Sequence, residues 1–80
     1  MTVDSLIRLL KEKGAHPNAV SVGIGVPRAD EMYCLVKDGK RWEVYYAERG
    51  EKVDLEVFES EHDACTHLYD ILKLDSSVWV

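Results

Sequence analysis

Cysteine is scarce in this chain: 80 residues hold only Cys34 and Cys65. A small secreted scaffold stapled by disulfides carries more, at framework spacings. The pair therefore reads as two free thiols in a reducing compartment, and a cytoplasmic location is expected. Long apolar runs are missing as well. The densest stretch, Leu6, Ile7, Leu9 and Leu10, is broken by Arg8 and falls far short of the ~20 residues a bilayer span needs. Neither a basic leader nor a lipidation signal opens the chain, so no membrane attachment is expected. Basic residues run short beyond residue 42. Residues 1–42 carry 7 Lys/Arg against 5 Asp/Glu, and residues 43–80 carry 3 against 10, giving the net charge of −5. Affinity for phosphate backbones comes from Lys and Arg displacing counterions, so nucleic acid is not an expected partner. A basic protein partner suits the acidic half, although acidity also serves solubility alone.

Catalytic signatures are missing too. Gly23, Ile24 and Gly25 lack the third glycine and the helix start of a nucleotide-binding loop, and Pro27 follows instead. His62 and Cys65 lie one helical turn apart, but His67 falls on another side, leaving two ligands where zinc takes three or four. No signature marks Cys34 as a nucleophile. Asp54 and Glu56 share a face as two carboxylates do in a glycosidase, yet nothing around them suggests a pocket. No enzyme activity, no cofactor and no metal are expected.

What is present is a folding pattern. An apolar fraction of 46% is ordinary for a globular chain, and the length allows a single domain over residues 1–80. The apolar stripe Leu6, Ile7, Leu9 and Leu10 predicts a helix over residues 3–13, capped by Thr2 or Asp4 and stopped by Gly14 with Pro17 beyond. Val20, Val22 and Ile24 alternate as a short strand, and residues 25–30 read as a loop. Asp38-Gly39 between two runs of β-formers predicts a hairpin with a type I′ turn. That turn would pair Lys37 with Lys40 and set Leu35 opposite Trp42 and Tyr33 opposite Val44. The other face would carry Met32, Cys34 and Val36 with Arg41, Glu43 and Tyr45, a mixed surface open to water or a partner. Gly50 marks a further turn. Beyond it Val53, Leu55 and Val57 are expected inward, with Asp54 and Glu56 outward. Ser60, with Asp63 three residues on, starts a last helix carrying Ala64, Cys65, Leu68, Ile71 and Leu72 on one face. The expected fold is α+β: an antiparallel four-stranded meander with an N-terminal and a C-terminal helix packed on one face.

Two stretches carry a family likeness. A W-x-V-Y-Y-x-E-R-G run occupies residues 42–50, and an F-x-S-E-x-x-A-C run occupies residues 58–65. Following an amino-terminal helix, these resemble the small immunity proteins of bacterial polymorphic toxin systems, in detail over residues 32–72 and in element order over the whole chain. The resemblance implies a cytoplasmic, non-enzymatic inhibitor that binds one cognate toxin domain. Such toxins often present basic clefts, which an acidic partner complements. The strand pattern puts Glu43, Tyr45, Asp54 and Glu56 on the outer sheet face, and these four are the expected partner-binding residues, with Tyr45 as an aromatic anchor ringed by charge. The alternative is a self-associating structural or regulatory module, a homodimer that covers Met32, Cys34, Val36, Tyr45 and the apolar end Val78, Trp79 and Val80.

Overall fold

The computed structural model describes residues 1–23 and 31–79. The elements run α1 (Val3–Lys13), β1 (Val20–Gly23), β2 (Met32–Asp38), β3 (Arg41–Glu48), β4 (Glu51–Phe58) and α2 (Glu61–Lys73), with a closing 3₁₀ turn at Ser76–Val78. The four strands form one sheet in the order β1-β2-β3-β4. The expected loop over residues 25–30 lies outside the described residues, as do Ile24 and Val80. Among the described residues, no helix is long and apolar enough to cross a membrane.

Both helices begin where their capping residues dictate. The Thr2 side chain accepts from Ser5 N while Ser5 Oγ accepts from Thr2 N, a reciprocal box that satisfies two otherwise orphaned donors. Gly14 ends α1 in the left-handed region at φ 83°, which a side chain would disfavour. Ser60 caps α2 by accepting from Asp63 N. The two helix starts are also joined. Glu61 accepts from Val3 N at 2.8 Å, so one carboxylate in the first turn of α2 serves the positive end of α1 as well.

Leu6, Leu10, Leu35, Val44, Ala64, Cys65, Leu68, Leu72 and Val78 form the main core, where α1 and α2 cover one face of the sheet. Val20, Val22, Trp42 and Phe58 pack against it from the strands. The expected α+β class with both helices on one face is therefore present. The meander is only partly so. β2, β3 and β4 are antiparallel neighbours, but β1 runs parallel to β2, pairing Val20 with Tyr33 and Val22 with Leu35. Alternation fixes which face a side chain takes and not the direction of the strand, so Val20 and Val22 reach the core in either sense.

The hairpin stands where Asp38-Gly39 placed it, in a different register. Asp38 pairs with Arg41, Lys37 with Trp42, Leu35 with Val44 and Tyr33 with Tyr46. Gly39 and Lys40 are thus the loop residues, and of these only Gly39 has positive φ (62°), the pattern of a type II′ turn. The type I′ pattern falls instead at Arg49 (φ 52°) and Gly50 (φ 80°), between the paired residues Glu48 and Glu51. Moving the hairpin by one residue on each strand keeps every side chain on its expected face.

In β4 the faces do change. Val44 pairs with Glu56, yet Tyr46 pairs with Val53, so Asp54 and Leu55 together oppose the single residue Tyr45. This is a β-bulge, and Asp54 occupies it in the left-handed region at φ 54°. Beyond the bulge the phase reverses. Phe58 and Glu56 stand on the helix side, opposite Trp42 and Val44, while Leu55 and Val57 stand on the other face with Glu43. The expected inward set of Val53, Leu55 and Val57 is corrected to Val53 and Phe58. The bulge brings Phe58, the larger apolar side chain, to the core beside Trp42, where its ring also packs on His67 at 5.0 Å.

The apolar end is docked. Val78 is buried, Trp79 forms an isolated antiparallel bridge with Ala15, and His16 N donates to Val78 O at 2.8 Å. The Trp79 indole donates to Leu72 O at 2.9 Å, satisfying a carbonyl at the end of α2. Tyr33 Oη donates to Asp75 at 2.8 Å and ties the 3₁₀ turn to the sheet.

Candidate functional site

The four residues expected to bind a partner separate into three environments. Glu43 and Tyr45 share the sheet face away from the helices, but Tyr45 is only 5% exposed and does not stand out as an anchor. It belongs to a second buried cluster with Met32, Cys34 and Ala47, against which Val36 packs. Of the mixed surface expected on this face, Met32, Cys34 and Tyr45 are therefore buried, Val36 and Glu43 are partly buried, and Arg41 is exposed. Lys52 accounts for part of the cover. Its ammonium lies 5.1 Å from the centre of the Tyr45 ring and 2.7 Å from Glu43 Oε1. The hydrogen bond to Glu43 holds the Lys52 pKa above its ordinary value, and burial pushes the Tyr45 phenol up.

Asp54 sits in the bulge and is exposed. Glu56 is exposed on the opposite side of the sheet from Glu43, at the β4 margin, so the expectation that it shares the outer face is corrected. The bulge that moves Glu56 brings out Leu55 and Val57, which are 41% and 49% exposed. These two are the residues that period-two reading assigned to the core. The available signal was Asp54 itself, a residue disfavoured inside strands and tolerant of left-handed backbone.

β4 is an edge strand of eight residues, paired only with β3 among the described residues. Its margin is acidic: Glu51, Asp54 and Glu56 are exposed, and none is in an ion pair among the described residues. A free edge of this length offers unpaired N–H and C=O groups to another chain, and the acids and the bulge restrict which chain can take them. The site is thus an open strand edge with an apolar pair at its centre and carboxylates around it.

Cys34 and Cys65 are free and buried, and burial pushes both thiols above their ordinary pKa. Among the described residues no three His, Cys, Asp or Glu side chains are grouped to hold a metal ion. Comparison with protein family models, with curated proteins and with solved structures finds no match for this chain.

Proposed function

We propose that this chain is a non-enzymatic binding protein of the immunity type, which neutralises a cognate bacterial toxin domain in the cytoplasm by direct binding through the outer margin of β4. One observation carries the reading. Leu55 and Val57 are turned out of the core by a bulge and stand exposed on an acidic edge strand that is paired only with β3 among the described residues. Each already hides about half its surface, so covering the rest contributes roughly 1 kcal/mol apiece, and strand pairing adds hydrogen bonds. The acids select a basic partner and speed its approach.

The self-associating reading loses support from Met32, Cys34, Tyr45 and Val78, which are buried within the chain. Pairing two copies of β4 antiparallel about Leu55 would also set Asp54 against Glu56, and like charges directly opposite are destabilising.

Coexpression with the product of the gene directly upstream tests the proposal. A neutralising partner restores growth when that product is toxic, and Leu55→Asp with Val57→Asp abolishes the rescue while the protein stays folded. Growth that is not restored by the unaltered chain, or that survives the double substitution, contradicts it.

A further inference from the structure

On the helix side of the β3–β4 margin lies a cleft of about 360 Å³, walled by Tyr33, Tyr46, Val53 and Ile71 with Asp54 and Asp75 at its rim. That volume is at the small end of the ~300–1,000 Å³ usual for ligand sites. The two tyrosine rings meet at 66° with centres 4.9 Å apart, so they form an aromatic corner. Asp75 is held rigidly beside it. One carboxylate oxygen accepts from Ser77 N at 3.0 Å and Ser77 Oγ at 2.6 Å, and the other accepts from Tyr33 Oη at 2.8 Å. A carboxylate offers about four acceptor sites, so one remains open on the oxygen that Tyr33 uses. All three donors are neutral, and no Lys, Arg or His pairs with Asp75 among the described residues. Among the described residues its negative charge is therefore held in place by neutral donors alone. The Tyr46 phenol reports the same field: its pKa is raised by burial and then by the carboxylates of Glu31, Glu48 and Asp75.

We infer that this cleft is a receptor for one arginine side chain of a protein partner, its guanidinium lying against the Tyr33–Tyr46 corner and donating to the open site on Asp75. Charge complementarity selects a cation. A planar, weakly hydrated guanidinium stacks on aromatic rings and donates in its own plane, which an ammonium does not. Val53 and Ile71 suit the alkyl stem. The inference rests on the reading of the chain as a binding protein, and it supplies a second contact at the same margin, on the helix side of β4.

The probe is blocked arginine, N-acetyl-arginine methylamide, titrated into the full chain and followed by backbone amide and tyrosine NMR shifts. Its neutral isostere, the blocked citrulline, and free arginine serve as comparisons. The expected result is saturable shifts confined to Tyr33, Tyr46, Val53, Ile71 and Asp75, with citrulline weaker by about tenfold or more. Tyr46→Leu, which keeps an apolar wall and removes the ring, weakens the probe about fivefold or more, while Tyr46→Phe retains it. Shifts that fail to saturate, equal binding of citrulline, or unchanged binding in Tyr46→Leu overturn the inference. Free arginine binding tenfold tighter than the blocked form also overturns it, because the site would then serve a small molecule. A toxin partner that binds through β4 while the probe does not would defeat this inference alone. A probe that binds when no partner does would defeat the β4 reading alone.

Discussion

Asp54 determines what β4 presents, because its left-handed backbone (φ 54°) creates the bulge that turns Leu55 and Val57 outward. A side chain at positive φ is costly, and Asp tolerates it better than most. Asp54→Gly should preserve the bulge and raise stability by about 0.5–1 kcal/mol, whereas Asp54→Val should lower it by about 1–2 kcal/mol, measured by urea unfolding. Arg49 is the equivalent strain in the β3–β4 turn, where φ is positive at both loop residues. Arg49→Asn supplies the favoured Asn-Gly pair and should stabilise by about 0.5 kcal/mol in the same assay. Tyr45 changes role altogether. As a buried side chain beneath Lys52, its truncation to Ala should cost about 3 kcal/mol of stability rather than act on a partner's dissociation. The two thiols, both buried, should resist a thiol reagent in the native protein and react once it is unfolded.

At the scale of elements, the tail and the sheet share a hydrogen bond whose two ends titrate. The Tyr33 phenol is pushed up to about 12 by burial and by Asp75, while Ser77 and Tyr33 hold the Asp75 carboxyl below its ordinary range. The signs are opposite. The Tyr33 contribution is present in full below pH 10 and is lost as pH rises toward about 12. The Asp75 contribution is present above the ordinary carboxylate range and is lost as pH falls through its lowered value. Near-ultraviolet circular dichroism of Trp79 against pH should therefore show tail release at both extremes, and Asp75→Asn should remove the acid limb. Elements governed by local chemistry were legible in the sequence. Thr2, Gly14 and Ser60 mark helix ends within one residue, and Asp38-Gly39 locates the hairpin. What needed three dimensions was not legible. The bulge at Asp54 leaves the alternation of Val53, Leu55 and Val57 intact in sequence while reversing its phase in space. The direction of β1 leaves no trace in an alternating strand, and the docking of Val78 depends on a core shared by both helices and the sheet that no local pattern records. Of the four residues expected to bind a partner, Asp54 and Glu56 lie on the exposed β4 margin, Glu56 on the helix side and not the outer face; Tyr45 is buried, Glu43 is held by Lys52, and Leu55 and Val57 were assigned to the core.

Across the whole molecule, the net charge of −5 is concentrated beyond residue 42, and the β4 margin lies in that region. Association with a basic partner should accordingly slow on the order of tenfold when ionic strength rises from 10 mM to 150 mM, read by stopped-flow mixing. Glu56→Lys should remove much of that dependence with little change in stability, since Glu56 is exposed and forms no ion pair among the described residues. The central claim, that the outward face of β4 is where a toxin domain docks, is tested most directly by the dissociation constant of the purified upstream gene product for the unaltered chain and for Leu55→Asp with Val57→Asp. A double variant that melts at the same temperature as the unaltered chain and binds at least about a hundredfold more weakly is the predicted result. Equal affinity in that folded variant would contradict the account.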